Sequence, residues 1–81
     1  MSIYPNPASD VIALEYTLPA QNESAELEIY NLYGQLLETQ SLKHHQGNQT
    51  IDVTDYAAGV YIAYIKFNDV PLFSQKVEIV K

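Results

Sequence analysis

The residues of this 81-residue chain that could do chemistry are Ser9, Asp10, His44, His45, Asp52 and Asp55, with Glu26 and Glu28 as a further acidic pair. Serine, histidine and aspartate are the ingredients of nucleophilic acyl transfer, but a triad is defined by geometry, not by composition. No serine here sits in a nucleophile-elbow pattern, and a domain this small offers little concave space to exclude water. Adjacent residues of an extended chain point to opposite faces, so His44 and His45 grip one metal ion poorly. No carboxylate close in sequence completes a ligand set around them, and they read as two solvated loop side chains. Glu26 and Glu28 alternate along one strand about 7 Å apart at the backbone, which does not forbid a paired-acid glycosidase. Nothing in the pattern supplies the apolar pocket that raises a carboxyl pKa, so these acids read as an open, solvated face. Asp52 and Asp55 lack the alternating oxygen ligands of a calcium loop and suit turns and caps.

Seven tyrosines raise the question of a sugar-stacking platform formed from Tyr16, Tyr30, Tyr33, Tyr56 and Tyr64. Tyrosine is equally the usual filler of a half-buried strand, and packing is the favoured reading. Asn22-Glu23-Ser24 and Asn48-Gln49-Thr50 match glycosylation acceptors, a signal too common to carry weight. With no cysteine in the chain, disulfides, thiolate nucleophiles and zinc-thiolate sites are excluded. The chain is therefore read as a non-enzyme that needs no cofactor.

The elements that must position these residues are strands. Ala25, Leu27 and Ile29 alternate with Glu26, Glu28 and Tyr30, the cleanest half-buried strand pattern in the sequence. Residues 11–18 form an earlier strand with both faces partly covered, followed by a turn over 19–24. Asn31-Leu32-Tyr33-Gly34 fits a tight hairpin with Gly34 at a positive φ, and residues 36–42 return as a strand. Residues 43–48 read as a polar loop before a short strand over 49–53. Residues 60–67 should lie centrally, with Tyr61, Ala63, Ile65 and Phe67 on one side and Val60, Ile62, Tyr64 and Lys66 on the other. Asn68-Asp69-Val70-Pro71 connects to a last strand over 72–80, with Phe73, Val77 and Ile79 in phase. Residues 52–58 could form a single helical turn. Six or seven short strands and no helical period predict one domain, an antiparallel, immunoglobulin-like β-sandwich.

Two motifs have mechanics of their own. In Tyr4-Pro5-Asn6-Pro7-Ala8-Ser9-Asp10, each proline fixes its own φ and pushes the residue before it to extended geometry, making a rigid approach to a sheet. In Tyr56-Ala57-Ala58-Gly59-Val60-Tyr61, the Tyr61 hydroxyl can reach back to an upstream backbone group and latch the crossover between sheets. Gly59 then supplies an unusual φ or lets the ring approach closely.

Charge is lopsided. Asp10, Glu15, Glu23, Glu26, Glu28 and Glu38 all precede the first lysine, Lys43, and the four lysines then balance Asp52, Asp55, Asp69 and Glu78, giving a net charge of −6. Without clustered Lys or Arg, nucleic acid is excluded as a partner. No apolar run approaches the roughly 20 residues of a membrane-spanning helix. The amino end has no signal-peptide pattern, and Met1 before Ser2-Ile3 reads as an introduced start on a domain taken from a larger protein.

Taken in order, Tyr4-Pro5-Asn6-Pro7, Ile29-Tyr30-Asn31 with Gly34-Gln35, Ala58-Gly59-Val60-Tyr61 and the stretch from Lys76 to Lys81 resemble the type A C-terminal sorting domain of type IX secretion cargo, found in Bacteroidota. The resemblance covers almost the whole chain, and Tyr33 departs from the small or polar residue common at its turn. It implies a domain at the C-terminus of a larger secreted protein, covalently attached to an upstream cargo domain. Such a domain is recognised by an outer-membrane translocon and removed by a sortase, with the cargo passing the periplasm on its way to the cell surface or medium. Carried over, Gly59, Tyr61, Lys76 and Lys81 are implied in recognition, while Pro5, Asn6 and Pro7 shape the fold. An open edge on the last strand is one way a partner could read it, and deleting residues 77–81 should then abolish export. The rival is a fibronectin III-like spacer or carbohydrate-binding adhesion module, which shares the fold but not a fixed place in its parent chain.

Overall fold

The computed structural model describes residues 1–18, 25–42 and 46–81. Their strands are β1 (Ser2–Tyr4), β2 (Val11–Thr17), β3 (Ala25–Asn31), β4 (Leu36–Ser41), β5 (Gln46–Asp52), β6 (Gly59–Phe67) and β7 (Val70–Ile79). They form two antiparallel sheets, one in the order β1-β2-β5 and the other β4-β3-β6-β7. No helix occurs among the described residues, and the architecture is the small all-β sandwich expected from the strand pattern. The turn over 19–24 and the histidine pair His44 and His45 lie outside the described residues.

Alternation fixes the core. Ile12, Leu14 and Tyr16 of β2 face Leu27 and Ile29 of β3, Ala63 and Ile65 of β6, and Val77 and Ile79 of β7, all buried. A one-residue slip in any of these strands would expose its apolar set, so register is strongly specified. β6 is central, paired with β3 on one side and β7 on the other, and its apolar inner row is continued by Phe67. The outer row of Val60, Ile62, Tyr64 and Lys66 is half-buried.

Several local expectations are corrected. β1 is an unexpected strand: three residues are too few for a period, yet Ile3 pairs with Leu14 and is buried. β5 starts at Gln46, not at residue 49, because pairing with β2 uses backbone groups that polar residues carry equally well. Residues 52–58 form no helical turn; the Tyr56 amide donates to the Val53 carbonyl at 3.0 Å and closes a reverse turn. The β6–β7 connection contracts to Asn68 and Asp69, both at positive φ (52° and 66°), the signature of a two-residue hairpin that matches strand twist. Pro71 is thereby taken into β7 beside a register shift, tolerable because β7 is an edge strand. At the other hairpin, Gly34 has φ 83°, and the Asn31 side chain accepts from the amides of Tyr33 (2.9 Å) and Gln35 (3.0 Å).

Candidate recognition site at the chain end

Among the described residues, Asp52 and Glu28 are already engaged in structural contacts. Asp52 accepts from the Thr54 amide at 2.9 Å, while the Asp10 carbonyl receives the Val53 amide at 2.9 Å and the Thr54 hydroxyl at 3.3 Å, so this acidic stretch shapes a turn. Among the described residues no three His, Asp or Glu side chains are gathered to hold a metal. Glu28 is less open than its position on an outer face suggested: its side chain is 12% exposed. It accepts from the Tyr30 hydroxyl at 2.6 Å and pairs with Lys66 at 2.9 Å. Donation from Tyr30 first, then from Lys66, holds the Glu28 carboxyl below its ordinary range, the reverse of what a general acid requires. Tyr30 and Tyr64 meet edge-on at 83° beside a groove of about 500 Å³ lined by Leu32, Ile62, Lys66 and Pro71. Rings set edge to face present no flat platform for a sugar. Tyr33, at the hairpin tip, is 91% exposed.

The densest set of long-range polar contacts lies instead where the opening segment meets the end of β7. Both Tyr4-Pro5 and Asn6-Pro7 are cis. Between them the Asn6 amide imitates a strand: its Nδ2 donates to the Lys76 carbonyl at 2.9 Å and its Oδ1 accepts from the Glu78 amide at 2.9 Å. Main-chain pairing then takes over, with the Ala8 amide donating to the Glu78 carbonyl (2.9 Å) and the Val80 amide to the Ala8 carbonyl (2.8 Å). This makes Ala8 a parallel bridge to Ile79. The Lys81 ammonium closes the seat, donating to the carbonyls of Ser9 (2.7 Å), Thr54 (3.0 Å) and Val53 (3.2 Å). An ammonium has three donors, and here all three are used.

Next to this seat stands the corner. The Tyr61 hydroxyl donates to the Ala57 carbonyl at 2.5 Å, and its ring packs 5.2 Å from that of Tyr56. Burial first, then the neighbouring Glu38, pushes the Tyr56 hydroxyl up to about 12. Gly59 has φ 153°, while a Cβ added there would meet nothing within 4 Å, so backbone conformation and not ring approach calls for glycine.

A family model described as "Secretion system C-terminal sorting domain" matches residues 2–80. The chain belongs to this family of type IX secretion sorting domains. A curated relative from Wenyingzhuangia aestuarii, named "Funoran endo-beta-hydrolase", is 38% identical over 64 residues, covering 79% of this chain and 8% of that protein. The matched region is thus a small part of a much larger enzyme. A sorting domain of this kind is the signal that sends an attached, larger cargo to the cell surface or the extracellular space.

Within the sorting domain the residues singled out from the sequence fall into different settings. Asn6, Lys81 and Tyr61 make the contacts just described, and Gly59 shapes the corner. Lys76 is exposed on β7, its side chain without a partner among the described residues. The expectation of an open edge along the end of β7 is overturned: from Lys76 to Val80 that edge is taken by Asn6 and Ala8. No periodicity foretold this, although an Asn fixed between two prolines was the available sign. Among the described residues no helix is long and apolar enough to cross a membrane.

Proposed function

We propose that the sorting domain engages an outer-membrane translocon through the face around its chain end, comprising the Gly59–Tyr61 corner and the outward side chains of β7, Lys76 above all. A cargo joined ahead of Met1 passes from the periplasm across the outer membrane with this face engaged, and a sortase then cuts upstream of the domain. What supports the reading is that the last strand is a fixed surface, clamped by Asn6, Ala8 and Lys81. A partner can then read side-chain positions without ordering them first. Lys81 is enclosed by carbonyls and Lys66 is held by Glu28, which leaves Lys76 as the described cation on this side available to an acidic partner. Catalysis belongs to the cargo, since among the described residues no three His, Asp or Glu side chains gather at one place.

The test is a periplasmic reporter carrying residues 1–81 at its C-terminus, in a host with the type IX machinery. Deleting residues 77–81 is a poor probe, since Val77 and Ile79 are core residues and the domain would unfold. Lys76→Glu spares the core. The intact fusion should reach the surface or medium, and the variant should fall to about one-tenth of that export with unchanged melting. Reporter retained in the periplasm with the intact domain would refute the role; full export of Lys76→Glu would refute the assignment of that side chain.

A further inference from the structure

The opening segment and β7 advance in step. The Gln75 side chain donates to the Ile3 carbonyl at 3.4 Å, Asn6 spans Lys76 and Glu78, and Ala8 bridges Ile79. Carried back two residues from the Ile3–Gln75 contact, the same register sets Met1 level with Phe73. Met1 packs against the core, yet Phe73 is 37% and Val70 57% exposed. Both belong to the inner face of their sheet, since Phe73 pairs with buried Ile65 and Val70 with core-packed Phe67. Among the described residues the opposite sheet offers nothing to cover them, because on this side it consists only of β1. Its register places Ile3 opposite Leu14, hence Met1 opposite Tyr16, and the residue two positions ahead of Met1 opposite buried Leu18. The period of two turns that same residue inward.

We propose that, in a chain carrying cargo ahead of Met1, β1 continues through the two preceding residues and that the inner-facing one, an apolar side chain, covers Phe73 and Val70. This rests on the reading that the domain follows a cargo. Continuity selects the linker as the occupant: Ile3 and Met1 already fill the same row, and the linker arrives at the shelf in register, with no association entropy to overcome. The cargo then leaves the sorting domain on a paired strand, and proteolytic access to the linker begins beyond it, where the backbone is unpaired.

The chain has no cysteine, so a disulfide reports the contact without background. In a reporter fusion, a cysteine two residues ahead of Met1 is combined with Phe73→Cys, and in the control with Ile62→Cys on the outer face. The first pair should oxidise at least about tenfold faster, because Phe73 shares the inner face with that linker position and Ile62 does not. Equal rates overturn the proposal, as does a bond that forms only between two molecules, which would give the shelf to a second copy. In a fusion with leucine at that linker position, Phe73→Ser combined with Val70→Ser should speed thermolysin cleavage next to Met1 about threefold or more, while the domain still melts cooperatively. Unchanged cleavage also overturns it. Export is scored separately: normal export without the cross-link rejects the docked linker and leaves the sorting role standing, whereas the cross-link without export does the reverse.

Discussion

Where β7 meets the opening segment, the two sheets are joined largely through main-chain atoms, whereas β4 and β5 meet on the other side through side chains. On the β7 side, Ala8 pairs with the strand edge and Asn6 substitutes a side-chain amide for a peptide group. On the β4 side, Gln49 reaches across to Gln40 at 2.6 Å, Gln40 donates to Glu38 at 3.2 Å, and the Tyr56 hydroxyl donates to Glu38 at 3.4 Å. Glu38 and Gln40 stand on the inner row of β4, opposite Ile29 and Leu27. Polar groups pointing inward from an edge strand discourage pairing with a foreign strand. One margin is thus sealed by the chain itself and the other is guarded by charge. The lesson is that a signal at the end of a chain needs its last strand held, and paired main-chain groups hold it more firmly than a few side-chain amides could.

Four substitutions or conditions sharpen that contrast. Ile79→Ala, at the sealed margin, leaves a cavity among fully buried side chains and should cost about 3 kcal/mol by denaturant unfolding. A loss under 1 kcal/mol would mean the strand end is not integral to the core. Asn6→Ala removes the hydrogen bonds to the Glu78 amide and the Lys76 carbonyl together and should cost about 2 kcal/mol. Gln49→Ala on the guarded margin should cost about 0.5 kcal/mol or less, because it removes a single half-buried side-chain bond at the edge of the sheet, where water can take its place. If these two losses were equal, the distinction between the margins would fail. Gly59→Ala, which meets no clash but forces φ 153° on a residue with a Cβ, should cost about 1 to 2 kcal/mol.

The smallest expected effect is on pH. Glu28 has a carboxyl held below its ordinary value of 4.5 by Tyr30 and Lys66, so the unfolded chain binds the proton more readily than the folded one. Its stabilising contribution is full above about pH 4.5 and is lost as the pH falls through the lower folded value. Thermal melts of Glu28→Gln should therefore lack part of the acid-side decline seen in the parent. A parallel decline in both would remove Glu28 as a contributor.

Much of the fold was legible because β3 and β6 alternate strictly, and a half-buried strand must do so. The positive φ at Gly34 was equally readable, since only a few residue types suit such a turn. The short β1 was not, because three residues next to a proline carry no period. Nor was the true start of β5, where polar residues pair through their backbones. At the candidate site, Tyr61 could be read from its spacing after Gly59, while the contacts of Asn6 and Lys81 involve partners more than twenty-five residues away and leave no local trace.

The sequence by itself determined which residues turn inward, where the hairpins fall and which charges the chain carries, because these follow from local sterics and a period of two. Only the tertiary structure decided that the first ten residues complete the edge of the last strand, that Lys81 is spent on three carbonyls, and that Phe73 and Val70 are left uncovered. Those outcomes depend on how two sheets of unequal width lie over each other, a relation between residues that no stretch of chain contains on its own.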